Sequence, residues 1–198
     1  MTWRTWALVP LLTLTSMPFV QAVGHGQNTC VSLLIVSATV LLESMFFAVL
    51  APLLPYYEDE FGLSTSALGA LSAVYALGAL AGALPSGLFA VRIGVKATVL
   101  TGLALIVVTS VAFGLAESAW LLYAARFGQG VGAAFAWTGG LAWLIAAAPR
   151  ERRGELIGIA MGSAIAGALL GPVLGGVASV VGPAPAFAAV AAMGIVLG

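Results

Sequence analysis

Charge is what this 198-residue sequence has least of. Seven Lys and Arg and seven Asp and Glu amount to 7% of the chain and cancel to a net charge of zero, whereas soluble domains carry about 25% charged residues. A neutral chain offers no basic surface for nucleic acid. Cysteine and histidine occur once each, as Cys30 and His25, too few for a disulfide or a metal site. Nucleophile elbow, HExxH, Walker motif and paired acids on one face are all missing, so enzymatic chemistry has nothing to stand on and no cofactor is expected. What is abundant is apolar surface: 62% of residues are hydrophobic and the mean hydropathy is +1.13. That is the composition of a chain whose solvent is a bilayer.

A hydrocarbon core of ~30 Å takes about 20 apolar residues of helix. Six stretches present themselves, at 31–56, 67–91, 97–116, 119–148, 156–181 and 186–198, the last of them short. Between them lie YEDEFGLSTS, where Ser64 or Thr65 can cap the following helix, then RIGVK, the pair Glu117 and Ser118, PRERRGE and GPAPA. Arg92 and Lys96 occupy the second connection and Arg150, Arg152 and Arg153 the fourth, while the alternate connections hold no Lys or Arg. By the positive-inside rule the two basic loops face the cytoplasm of a multi-pass cell-membrane protein, and Tyr56, Tyr57 and Trp120 fall at the opposite interface.

Residues 1–30 form a separate signal-like segment ahead of a bundle spanning 31–198. MTWRT, then WALVPLLTLTSMPFV, then QA has the layout of a secretory signal. Cleavage there leaves the first span starting on the wrong side for the loop charges. Three readings stay open: a cleaved signal, an extra helix with Arg4 outside, and a misassigned start.

Two charges lie within the spans, Glu43 midway along the first and Arg126 a third of the way into the fourth. Intramembrane charges are costly and mark function by default. One reading makes them a structural ion pair, or lets Arg126 reach a carbonyl and brace the bundle. A sharper reading has Glu43 take up and release a proton, because low-dielectric surroundings penalise the charged form of any carboxyl, with Arg126 biasing that equilibrium. In the fifth span, GIAMGSAIAGALLGPVLGG puts Gly167, Gly171 and Gly175 four residues apart, a smooth groove on one face, with Pro172 bending the helix beside it. Such a face suits sliding or rocking against a partner bundle. Gly78 and Gly82 in the second span read as ordinary small-residue packing.

These residues carry a family resemblance. Gly158, Gly167, Gly171, Pro172, Gly175 and Gly176 match the antiporter signature G-x8-G-x3-G-P-x2-G-G of the major facilitator superfamily in every spacing. RFGQGVG, with Arg126, Gln129 and Gly130, is similar to that family's R-F-x-Q-G-x-G, and LESMFFAVLAPLLP, with Glu43, Pro52 and Pro55, to the acid-then-P-x-x-P pattern of its drug:proton antiporter branch. The loop pattern G-x3-D-R-x-G-R-K is kept only in part, at Gly87, Arg92, Gly94 and Lys96, because Val91 replaces the Asp and Val95 an Arg; this puts a cytoplasmic charge lock in doubt.

The resemblance implies an all-α membrane fold, the N-terminal six-helix half of two, built from inverted three-helix repeats and working by alternating access. It implies proton-coupled antiport of a small molecule, driven by the proton gradient without a cofactor, with Glu43 and Arg126 as the coupling pair. Tyr75, Gln129 and Trp137 are the candidates for the substrate cavity. A sugar or metabolite carrier and a non-transporting membrane protein are the alternatives. The sequence ends in an apolar run, so a C-terminal half or a second copy is the expected partner.

Overall fold

The computed structural model describes residues 29–184, 187 and 192, so the signal-like segment and nearly all of the expected sixth span lie outside the described residues. Six helices make up the described chain: α1 (Thr29–Ala48), α2 (Leu50–Phe61), α3 (Thr65–Ile93), α4 (Val95–Gly114), α5 (Ala119–Ala147) and α6 (Arg153–Val181), with a single 3-10 turn at Arg150–Arg152 before α6. α1 and α2 follow one another as one interrupted span, giving five spans long and apolar enough to cross a membrane.

Connections between the spans are short. Ser64 caps α3 by accepting from the Ala67 N–H (3.3 Å). α3 passes to α4 through Gly94 alone, at φ +111° and ψ 156°, a backbone conformation essentially reserved for glycine. The first span continues past its expected end at Tyr56 as far as Phe61. Tyr57 explains this: its ring is buried among Tyr56, Phe61 and Phe113, so the polar YEDEF stretch has an apolar anchor that holds it helical.

α5 is the centre of the bundle, packed on α3 and α4, while α6 packs along α1 and α2. In lipid, packing comes from close backbone approach rather than from escape of apolar surface from water. A Cβ on Gly78 would strike the Phe127 carbonyl, and one on Gly130 the Tyr75 carbonyl, so α3 and α5 touch backbone to backbone. On the other side of α5, a Cβ on Gly102 would lie 2.7 Å from the Gly132 oxygen, and one on Gly139 2.8 Å from the Val99 nitrogen.

The α6 groove is also filled, though not as its sequence suggests. A Cβ on Gly167 would strike the Leu41 carbonyl; one on Gly171 would meet Ala48 Cβ at 2.5 Å, and one on Gly175 the Val49 oxygen at 2.5 Å. The groove expected to slide against a partner bundle instead holds α1 and the start of α2, a close-packed joint inside this bundle. Gly158 and Gly176 have open space where a side chain would be. They point elsewhere because nine residues separate Gly158 from Gly167, a half-turn about the helix, and one step turns Gly176 off the groove.

Buried apolar residues form two clusters. One, around Val36, Val99, Trp143 and Leu156, lies toward the basic loops; the other, around Leu53, Tyr57, Leu71, Phe113 and Leu122, lies toward the acidic ones. The membrane-depth polar residues sit between and beside them.

Candidate functional site

Glu43 is 5% exposed, and three side chains converge on its carboxylate. Tyr75 from α3 donates its hydroxyl to Oε1. Trp137 from α5 donates its indole N–H to Oε2 at 2.7 Å, and the neighbouring Ser44 hydroxyl reaches Oε2 at 3.4 Å. Three spans therefore meet at one carboxyl, and every partner is neutral. Tyr75 and Trp137 are held by the register of glycine contacts: the Tyr75 turn lies against Gly130, which allows α3 and α5 to approach closely there.

Arg126 is 2% exposed and makes no ion pair with Glu43. Among the described residues the one salt bridge joins Arg152 and Glu155 (2.8 Å) on the surface. Arg126 donates instead to the carbonyls of Phe46 (3.3 Å) and Phe47 (2.9 Å) and to Gln129 Oε1 (2.8 Å). Those carbonyls belong to the last turn of α1. A helix C-terminus exposes carbonyls without intrahelical donors, and Pro52, lacking an N–H, cannot serve the Ala48 carbonyl four residues back. A guanidinium supplies donors and a positive charge where the helix dipole is negative. The ring of Tyr75 lies 5.1 Å from the Arg126 Cζ, with the rings of Phe47 and Phe113 each at 5.9 Å.

Gln129, a candidate for the cavity wall, is 2% exposed and spent on bracing: it accepts from Arg126 and donates to the Ser110 hydroxyl of α4 at 3.1 Å. Of the expected pair and cavity residues, then, Glu43, Tyr75 and Trp137 share one site, and Arg126 and Gln129 form a second one beside it. A cavity of about 340 Å³ opens next to Arg126, walled by Phe47, Leu50, Leu54, Ser72 and Pro172 among others. The reading in which Arg126 reaches a carbonyl and braces the bundle is the one the structure shows; sequence reasoning did not say which carbonyls, and it missed Ser44 and Ser110. Only the P-x-x-P pattern hinted that the first span breaks where Arg126 could reach its backbone. In the partial loop motif, Gly94 makes the turn, Arg92 and Lys96 are exposed, and Gly87 contacts nothing that a Cβ would disturb. Val91, at the Asp position, is 63% exposed.

Residues 36–198 match the family model of the Major Facilitator Superfamily. The chain belongs to this superfamily. Among curated relatives it is 35% identical over 138 residues to the "Probable vesicular acetylcholine transporter-B" of Danio rerio, covering 65% of this chain and 28% of that protein. It is 38% identical over 86 residues to the "Uncharacterized MFS-type transporter YceJ" of Bacillus subtilis, covering 43% and 22%. The "Probable vesicular acetylcholine transporter-A" of Danio rerio is 30% identical over 153 residues, covering 65% and 29%. Each matched stretch spans less than a third of the relative's length. With five apolar spans among the described residues and membership of this superfamily, the protein is a multi-pass membrane protein.

Proposed function

We propose that this superfamily member is a proton-coupled antiporter that exports a small molecule by alternating access, with Glu43 as the proton carrier. The observation that carries the reading is the neutral cage around the Glu43 carboxylate. The Tyr75 hydroxyl can donate to a carboxylate or accept from a carboxylic acid, so this contact is satisfied in both protonation states. The Trp137 N–H can only donate, which fixes Oε2 as an acceptor and leaves Oε1, facing Tyr75, as the oxygen that carries the proton. With no cationic side chain bound to it among the described residues, Glu43 has its charge free to meet either a proton or a substrate cation, and competition for one carboxyl is the simplest form of exchange. Because two relatives are named for acetylcholine transport, we take organic cations as the first substrates to assay, and drugs of the same charge class next. Arg126 holds the broken first span in place and sets the local field.

In this reading the basic connections at Arg92–Lys96 and Arg150–Arg153 face the cytoplasm of the cell membrane, and a second six-helix half, or a second copy, completes the cavity on the side of Tyr75 and Trp137. The test is Glu43→Gln in the full-length protein reconstituted in proteoliposomes. Gln keeps an acceptor for Trp137 but cannot cycle a proton. Proton-driven organic-cation transport is expected to vanish while the protein inserts normally; undiminished proton-driven transport by the variant overturns the assignment.

A further inference from the structure

At the end of the bundle opposite the basic loops, a second cavity of about 460 Å³ lies between the end of α2, the α4–α5 connection and the end of α6. Its wall combines four aromatic rings, Tyr56, Tyr57, Phe61 and Phe113, with two carboxylates, Glu60 and Glu117. The rings form a continuous patch: Tyr57 meets Tyr56 edge-on at 5.3 Å and Phe113 edge-on at 5.5 Å, and stacks on Phe61 at 6.1 Å. Tyr57 is 2% exposed, yet among the described residues its hydroxyl has no hydrogen-bond partner. Gly182, at φ +92°, turns the chain beside the cavity.

We propose that this cavity binds a small organic ammonium ion, at a site separate from Glu43. Aromatic faces attract cations through the ring quadrupole, and weakly hydrated ammonium ions more readily than strongly hydrated metal ions. The two carboxylates supply the charge, and the orphaned Tyr57 oxygen can accept from an ammonium N–H. Glu58 and Asp59 add to the negative field at this end, and the connections there contain no Lys or Arg among the described residues, so a cation is drawn toward the cavity mouth. A metal ion fits less well: among the described residues no group of three His, Cys, Asp or Glu side chains converges, and calcium takes six or more oxygen ligands. The site rests on these residues alone and is independent of the role given to Glu43.

The experiment is titration of triethylammonium into the full-length protein in nanodiscs of phosphatidylcholine, followed by saturation-transfer NMR. Saturable binding is expected to persist in Glu43→Gln, which removes the carboxyl proposed above to meet cations, and to weaken by about tenfold or more when Glu60→Gln/Glu117→Gln is added to that variant, as loss of two close charges implies. In Glu43→Gln without further changes, raising salt from about 0.05 to about 0.5 M weakens it too, because these carboxylates are exposed to screening. Calcium is expected not to displace the probe. The proposal is overturned if Glu43→Gln alone abolishes binding, if the two added substitutions or salt leave the affinity unchanged, or if calcium displaces the probe and itself depends on Glu60 and Glu117.

Discussion

Glu43 and Arg126 are opposite charges buried within one bundle, and they are held in opposite ways. Arg126 is tied to backbone, to the carbonyls of Phe46 and Phe47, and through Gln129 to Ser110. Glu43 is tied only to side chains, the Tyr75 hydroxyl, the Trp137 indole and the Ser44 hydroxyl. Carbonyls at a helix break cannot change partners without the helix moving, whereas hydroxyls reorient and side chains change rotamer. A charge clamped by backbone is built as scaffold, and a charge caged by neutral side chains from three spans is the one to which the proposed function gives the proton. Tyr75 touches both, accepting the guanidinium on its ring and presenting its hydroxyl to Glu43.

The contrast breaks most visibly at Arg126. Arg126→Met leaves buried carbonyls without donors, and loss of two charge-assisted bonds costs about 3 kcal/mol or more. The expected outcome is a large drop in folded yield and in thermal midpoint in detergent. Arg126→Lys, which keeps the charge but not the fork of donors, should fall between. A melt unchanged by either variant means the backbone clamp is not structural.

The packing joint beside the site comes next in size. Gly167→Ala drives a methyl into the Leu41 carbonyl, and overpacking of this kind costs about 2 kcal/mol. Gly158→Ala and Gly176→Ala, facing open space, should change the melt by less than about 0.5 kcal/mol. Equal effects at all three positions mean that the whole glycine signature, rather than its groove alone, is a packing surface. Glu43→Gln is smaller still in stability, within about 1 kcal/mol because neutral partners re-bond a neutral amide, while it removes proton coupling altogether. Destabilisation as large as that of Arg126→Met would make Glu43 scaffold as well.

Much of this was legible in the sequence, for physical reasons that can be named. Apolar length marked the five described spans, and the two isolated charges within them are buried in the bundle, because lipid punishes exceptions. The four-residue glycine spacing showed the groove on α6, but what fills it depends on how α1 packs, which periodicity does not encode. Gln129 read as a cavity residue because polarity in a span points inward; whether inward means toward a cavity or toward Arg126 and Ser110 is set by rotation about the helix axis. Backbone acceptors such as the Phe46 and Phe47 carbonyls carry no residue signature at all, and only the prolines downstream mark the break that lets Arg126 reach them.

The finest distinction is between the two donors to Glu43. Tyr75→Phe removes the contact that serves both protonation states, and Trp137→Phe removes one that serves an acceptor oxygen in either state. Each deletes a single hydrogen bond, so each is expected to shift stability by only about 1 kcal/mol. Their effects on exchange should nonetheless differ. Without the Tyr75 hydroxyl, a proton on Oε1 has no partner to hand it on to, so proton release upon substrate binding, followed by stopped flow with a pH-sensitive dye, should slow while substrate affinity holds. Without the Trp137 N–H the carboxylate loses a fixed anchor but keeps its proton path, so affinity should weaken and the release step survive. If the two variants slow release equally, the cage acts as one unit and the proton has no preferred oxygen. If Trp137→Phe alone slows it, the proton resides on Oε2 and the roles of the two donors are exchanged.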